Sequence, residues 1–390
     1  MNAKRLLLKN ALVRTSRKTL NNCSVVCEKG TISTLTESIT RQASSDLVID
    51  CAGLTVVPGF IDMHLHGFGG RDSREGTVEA VQEMAAACAT FGVTSLLPTL
   101  TVLSDDNLRL STRSVRDAMN TPGNHAHILG VHLEGPFLNP QYKGGIFGGG
   151  LSVPSLDVLA KCLDYAGDTL RVMTLAPELA GAEKIIERLF SKRILVSLGH
   201  SGATYAQAIQ AMRLGCRHVA HLFNGMTSIT ARDPGLAGAA LYEDECCVEV
   251  IADGHHIAVA NVLATLKMKP LSMICLVTDA SKASGTDLDG FDNPSGFRVE
   301  IRDGRTWGPE GKLVGSVLTL DAAVRHLLSW STLDLTDVLA FVTENPARQL
   351  GLYPRKGDIA PGADADLTVL DADHRVAYTI VGGRVVYRRT

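Results

Sequence analysis

Eight short apolar runs, each closing on polar or chemically capable residues, recur between residues 59 and 281, and most are followed by a stretch with helical spacing. They are GFIDMHLH (59–66), TSLLPTLT (94–101), HILGVHLEGP (127–136), LRVMTLAPE (170–178), LVSLGHS (195–201), HVAHLFNG (218–225), VEVIADGHH (248–256) and MICLVTDAS (273–281). Strands buried on both faces read as near-continuous Val/Ile/Leu runs, and strands that alternate with helices build a parallel sheet. Eight such units predict an α/β chain closed into a (β/α)8 TIM barrel. An open doubly wound sheet fits less well. No GxGxxG follows the first strand, and polar residues recur at every strand end, as in a barrel whose C-terminal face carries the chemistry. The connecting helices are clearest in TVEAVQEMAAACATFG (77–92), which ends on Gly92, and in ATYAQAIQAMRLG (203–215).

The two ends of the chain read differently. Residues 4–13, 23–35 and 46–57, and again 364–371 and 375–388, show period-two alternation punctuated by turns. This predicts a small β-sandwich domain made of 1–56 and 353–390, with the barrel domain, 57–352, inserted between its halves. A chain of 390 residues, 45% hydrophobic, suffices for one large core and a satellite. The net charge of -3 comes from 38 basic and 41 acidic residues spread along the chain, which argues against a nucleic-acid partner and for a small molecule. No run of about 18 apolar residues occurs. The opening MNAKRLLLKNALVRTSRK is broken by Lys9, Asn10 and Arg14 too early for a signal segment, so no membrane and a cytoplasmic location are expected. Nine cysteines without a CxxC spacing suit reduced core thiols and no disulfide, and Cys246 and Cys247 read as inert. The least regular region, 137–153, has five Gly within 144–150 and reads as a mobile or tightly folded loop after the third strand.

Chemistry concentrates at the strand ends. His64 and His66 are two residues apart, so both side chains leave the first strand on one side, with Asp62 on the same face. Glu134 closes the third strand, His200 the fifth and His221 the sixth. One such residue could be structural, but five converging on one face read as ligands of a divalent metal. Imidazole with a carboxylate suits Zn²⁺ first, with Fe²⁺, Co²⁺ or Mn²⁺ as alternatives. Asp279, ending the eighth strand, is placed to act as a general base toward water acidified by such an ion. Its competing reading is a helix N-cap.

These residues resemble the N-acetylglucosamine-6-phosphate deacetylase family of the amidohydrolase superfamily. The matching stretches are PGFIDMHLHGFGG (58–70), HLEGPFLNP (132–140), LGHSGATYAQA (198–208), HLFNGMTSITARDPGLAG (221–238), IADGHH (251–256) and LVTDAS (276–281). The resemblance implies that Glu134, His200 and His221 hold one metal, that His64 and His66 allow a second, and that Asp279 is the catalytic base. The bridging lysine that amidohydrolases carry at the end of strand four is absent from LRVMTLAPE, which leaves bridging to Glu134. By the same resemblance Asn224 and the backbone at Gly225, with Arg232 and His256, contact the phosphate of an amino sugar. Arg232 would reach into the partner's site, implying a homodimer.

The chain departs from the family in one loop. Where a histidine is expected in a KGxH setting, it has Lys143, Gly144, Gly145 and Ile146, which leaves the sugar epimer open and nominates Lys143 or His255 as a compensating donor. Other readings are an N-acetylgalactosamine-6-phosphate deacetylase, a cyclic-amide hydrolase of the dihydroorotase or hydantoinase kind, and a non-catalytic sugar-phosphate binder. His132 is expected to be second to the ligands or a satisfied core histidine. His125, His127, His218, His326 and His374 read as structural or exposed.

Overall fold

The computed structural model describes residues 5–37, 46–101, 104–147 and 149–390; Lys4, where the first predicted strand begins, and Gly148 of the glycine-rich loop lie outside them. Eight parallel strands form the barrel: Phe60–Leu65, Val93–Thr101, Val131–Glu134, Leu170–Leu175, Leu195–Leu198, His218–Val219, Cys247–Val250 and Ile274–Leu276. Each pairs with the next along this order. The ring closes where Leu65 bridges Ala280 in parallel register. At this seam the Asp279 N–H donates to His64 O (2.9 Å) and the His66 N–H to Ala280 O (2.8 Å). Closure therefore sets Asp279 beside the histidine pair, 215 residues away along the chain for His64, from 279 less 64.

The strands are shorter than the apolar runs suggested. HVAHLFNG holds strand only at His218–Val219, and the rest turns outward as loop. The first half of the third run, His127–Ile128, is a separate short strand. The predicted helices appear as Val78–Ala89 and Tyr205–Arg213. Thr77 caps the first by accepting from the Ala80 N–H, and Thr204 with Gln207 forms a capping box on the second.

Both chain ends contribute to one eight-stranded sheet. It branches at Arg5–Arg14: Arg5 to Lys9 pair with Asp46–Asp50, whereas Leu12 and Val13 pair with Thr55 and Val56. Both arms line a common apolar core that includes Leu6, Leu8, Val25, Ile49, Val56, Leu367 and Ile380. The run over 23–35 is a hairpin, Thr19–Glu28 and Thr31–Thr36, and 375–388 is likewise Val376–Val381 and Arg384–Arg388. Lys29 (φ 51°) with Gly30 (φ 85°), and Gly382 (φ 54°) with Gly383 (φ 73°), supply the paired left-handed residues of a two-residue hairpin turn.

A further element follows the eighth barrel strand. Gly290–Asn293, Phe297–Arg302 and Arg305–Trp307 make a three-stranded antiparallel sheet that leans over the mouth of the barrel. The glycine-rich loop packs beneath it. A Cβ on Gly145 would lie 2.2 Å from Leu313 O, so only glycine allows this approach. The loop is tightly folded over 144–147, with Phe147 set edge-on against Phe297 at 4.9 Å between ring centres. All nine cysteines are buried and unpaired. Among the described residues, no helix is long and apolar enough to cross a membrane.

Candidate active site

Four of the imidazoles read as ligands share one hydrogen-bonding arrangement. His200 Nδ1 faces Tyr142 O (3.0 Å), His221 Nδ1 faces Asn224 O (3.1 Å) and His66 Nδ1 faces Thr99 O (3.3 Å). A carbonyl oxygen can only accept, so each Nδ1 carries the proton. The Nδ1–H of His64 donates to the Glu249 carboxylate at 2.7 Å. Every neutral ring in the set therefore presents an unprotonated Nε2.

Those Nε2 atoms face one another and two carboxylates. His200 and His221 Nε2 each lie 3.0 Å from Glu134 Oε1 and 3.1 Å from each other. His64 Nε2 is 3.4 Å from the same oxygen, is fully buried, and has no hydrogen-bond partner. His66 Nε2 is 3.0 Å from Asp279 Oδ1 and 3.5 Å from Glu134 Oε2. Lone pairs and carboxylate oxygens this close repel unless positive charge sits among them, either a metal ion or protons on the rings. Burial opposes protonation of His64 and His200, but the adjoining carboxylates raise the pKa of both. The donor set, borderline imidazole nitrogen with carboxylate oxygen, fits a divalent metal. Two overlapping groups can each hold an ion: His64, Glu134 and His221, and His64, His66 and Asp279. Glu134 turns Oε1 toward His64, His200 and His221 and Oε2 toward His66.

The backbone is bent to reach this arrangement. His200 (φ 48°), His221 (φ 28°) and Asp279 (φ 47°) all sit at left-handed φ, which costs a non-glycine residue roughly 1–3 kcal/mol. Gly225 (φ 57°) backs the cluster, since a Cβ there would meet His200 Nδ1 at 2.9 Å. Burial disfavours the Asp279 carboxylate, but the His66 hydrogen bond and the surrounding imidazoles outweigh it and hold its pKa well below the usual range. Asp62 points below the ligands, accepting from Thr278 Oγ1 (2.6 Å), and burial raises its pKa to about 7. His132 is a satisfied core histidine, with Nε2 2.8 Å from Thr174 Oγ1; burial and the adjacent His64 push its pKa down to about 3.

A cavity of about 360 Å³ opens from this cluster. Asn224, Gly225 and His256 line one side, with His66, Glu134, His200, His221 and Asp279 at its base. His256 is held by Asp253, Nδ1 to Oδ2 at 2.6 Å. Burial opposes its protonation, but the Asp253 carboxylate prevails and raises the imidazole pKa. Arg232 is exposed and does not line this cavity. Neither proposed substitute for the missing loop histidine lines it either. The Lys143 ammonium lies over the Phe147 ring, and His255 Nδ1 accepts from Arg305 Nε. Ile146, nearly buried and packed on Leu138, does line the cavity and offers only hydrocarbon there.

The chain is similar to known proteins over nearly its whole length. The amidohydrolase family model matches residues 55–386. The N-acetylglucosamine-6-phosphate deacetylase of Bacillus subtilis is 30% identical over 99% of this chain and 98% of its own. The N-acetylgalactosamine-6-phosphate deacetylase of Escherichia coli O157:H7 is 33% identical over 84% and 86%. The crystal structure of N-acetylglucosamine-6-phosphate deacetylase from Pasteurella multocida superposes with a TM-score of 0.92 at 30% identity, over 99% of this chain and 100% of that one. The chain belongs to the N-acetylglucosamine-6-phosphate deacetylase family of amidohydrolases.

In this deacetylase-family chain, three groups at the site escaped the sequence reading. Glu249 is an acid inside the apolar strand Cys247–Val250, and its inward face was the only available signal. Asp253, four residues on, was legible in IADGHH but not as the partner of His256. Arg74 lies in the loop after the first strand and lines the cavity. It forks onto Asp72 (Nε to Oδ1 2.8 Å, Nη2 to Oδ2 2.7 Å) and reaches Thr101 Oγ1 at 3.2 Å.

Proposed function

We propose that this chain hydrolyses the acetamide of N-acetylglucosamine 6-phosphate, giving acetate and the amino-sugar 6-phosphate. The observation that carries this reading is the convergence of the His66, His200 and His221 rings with Glu134 and Asp279 at the base of a cavity whose side bears the Asp253-braced His256, with His64 buried behind them. Glu134, His200 and His221 would hold one divalent ion, Zn²⁺ by donor type, and His64, His66 and Asp279 would flank a second. When bound, the metal supplies Lewis-acid polarisation of water and of the amide carbonyl. Asp279 takes the proton as water adds to the acetyl carbon, then returns it to the departing amine. It is anionic at neutral pH, as a base must be. His256, Asn224 and the Gly225 amide grip the phosphate and hold the acetamide over the cluster. A barrel of 57–352 thus carries the chemistry, and 1–56 with 353–390 forms the supporting domain. A cytoplasmic location matches a phosphorylated substrate.

The galacto epimer is a second reading. It is favoured by Ile146, which offers the sugar no hydrogen bond, and by the N-acetylgalactosamine-6-phosphate deacetylase among the relatives. Acetate release should be compared for both 6-phosphates and for plain N-acetylglucosamine. We expect kcat/KM to favour the phosphorylated sugars by roughly 100-fold, as two charge-assisted contacts of about 1.5 kcal/mol each imply. The raised pKa of His256 sets the sign with pH. Its charge is present below that pKa and lost above it, so KM for the phosphorylated sugar climbs as pH rises through it, while KM for the plain sugar stays flat. No acetate from any of the three would sink the proposal.

Arg232 is exposed in its own chain and serves the cavity of a second copy in a homodimer. Mixing Arg232→Ala chains with Asp279→Asn chains should therefore restore activity, to about a quarter of wild type for random two-fold dimers with one complete site in each mixed pair. Two variants that stay inactive when mixed would refute the shared site.

A further inference from the structure

We propose that Glu249 is the positioning residue that lets His64 act as a metal ligand and so sets the affinity of the second ion. This rests on the two-ion reading given above. Glu249 is fully buried on the seventh strand and joins two ligands from different strands. Its Oε2 accepts from His64 Nδ1–H at 2.7 Å and from the His221 backbone N–H at 3.1 Å. The first bond fixes the tautomer and the ring plane of His64. The Nε2 lone pair then stays directed between Glu134 Oε1 (3.4 Å) and Asp279 Oδ1 (3.8 Å).

Both of these bonds to Glu249 fall on one oxygen of the carboxylate. Among the described residues Glu249 Oε1 has no hydrogen-bond partner, and His218 Nε2, also unpartnered, lies 3.8 Å away. Burying a charge on such terms is costly, and an apolar replacement for a buried ion pair is often neutral or stabilising for a fold. What the charge does supply is basicity to a ligating imidazole and a third negative charge, after Glu134 and Asp279, beside two divalent ions. A glutamine at 249 would keep the shape and could still accept a hydrogen bond, but it removes the charge.

The test is metal binding rather than turnover. Chelator-stripped protein is titrated with Zn²⁺ by calorimetry, with elemental analysis after dialysis, for wild type, Glu249→Gln, His64→Asn and the double variant. Wild type is expected to take two ions. Glu249→Gln should keep the first and bind the second 10–100-fold more weakly, the usual cost of losing a carboxylate behind a ligating histidine. Its metal-free form should lose some stability, as removing one partner of a buried pair does, so the readout that a merely structural role would not give is the first ion kept at wild-type affinity while the second weakens. The double variant should bind like His64→Asn alone, because Glu249 acts through that ring. The assignment is overturned if Glu249→Gln keeps both ions at wild-type affinity, if it loses both together, or if its effect adds to that of His64→Asn. A wild-type chain that takes up a single ion would refute the two-ion reading itself, and this assignment with it.

Discussion

Asp279→Asn is expected to lower acetate release by roughly 10²–10⁴-fold, the range for removing a positioned general base. The substitution is unusually clean here. Asp279 sits at φ 47°, where asparagine is among the few residues accepted without strain. Its backbone is held independently of the carboxylate: the N–H donates to His64 O at 2.9 Å, and the carbonyl accepts from the Ser316 N–H at 2.7 Å. What is lost is the charge and the proton acceptor. The ion held by Glu134, His200 and His221 should remain, so elemental analysis separates a missing base from a missing metal. Activity within about tenfold of wild type would remove Asp279 from the base role.

Glu134→Gln should have the second large effect, and by a different route. The Glu134 carboxylate lies within 3.5 Å of four Nε2 atoms. Burial alone would raise its pKa, but His200 and the other imidazoles hold it well below the usual range. The neutral amide cannot bridge two cations, so bound metal should fall below one ion per chain after dialysis, and turnover should fall with it. In the metal-free protein the buried imidazoles also lose their counter-charge. Breaking a buried pair in this way costs about 3–5 kcal/mol, which denaturant unfolding of the stripped protein would register. Full metal occupancy in this variant would overturn the ligand assignment.

The barrel was legible because each strand is buried on both faces and so must be written as an apolar run, and because the chemistry falls where each run stops. His64, Glu134, His200, His221 and Asp279 were all marked by that rule. Glu249 was not, because it lies within its run rather than at its end, and an inward acid in a strand gives no sign of what faces it. Within the terminal runs the turn positions were not assigned, because Lys29-Gly30 is a weaker turn signal than Asn-Gly. The sheet over the barrel mouth was missed although Asn-Pro-Ser-Gly (293–296) and Arg-Asp-Gly (302–304) both mark turns. Its strands are short, and one has an exposed face.

The sequence by itself determined the kind of donor, how many there are and which strand ends bear them, because these follow from residue chemistry and the period of the apolar pattern. Only the tertiary structure decided which nitrogen each histidine presents. That depends on carbonyl groups of Thr99, Tyr142 and Asn224 and on the carboxylate of Glu249, all brought to the rings by folding. It also decided that Asp279 meets His66 at 3.0 Å, through a barrel seam that closes between the first and last strands. Likewise, no local pattern shows that Ile146 packs on Leu138 at the cavity wall, or that Arg74 and the Asp253-braced His256 face the same cavity. Hydrogen-bond direction and distance are properties of packed neighbours, and packing joins residues that the chain keeps far apart.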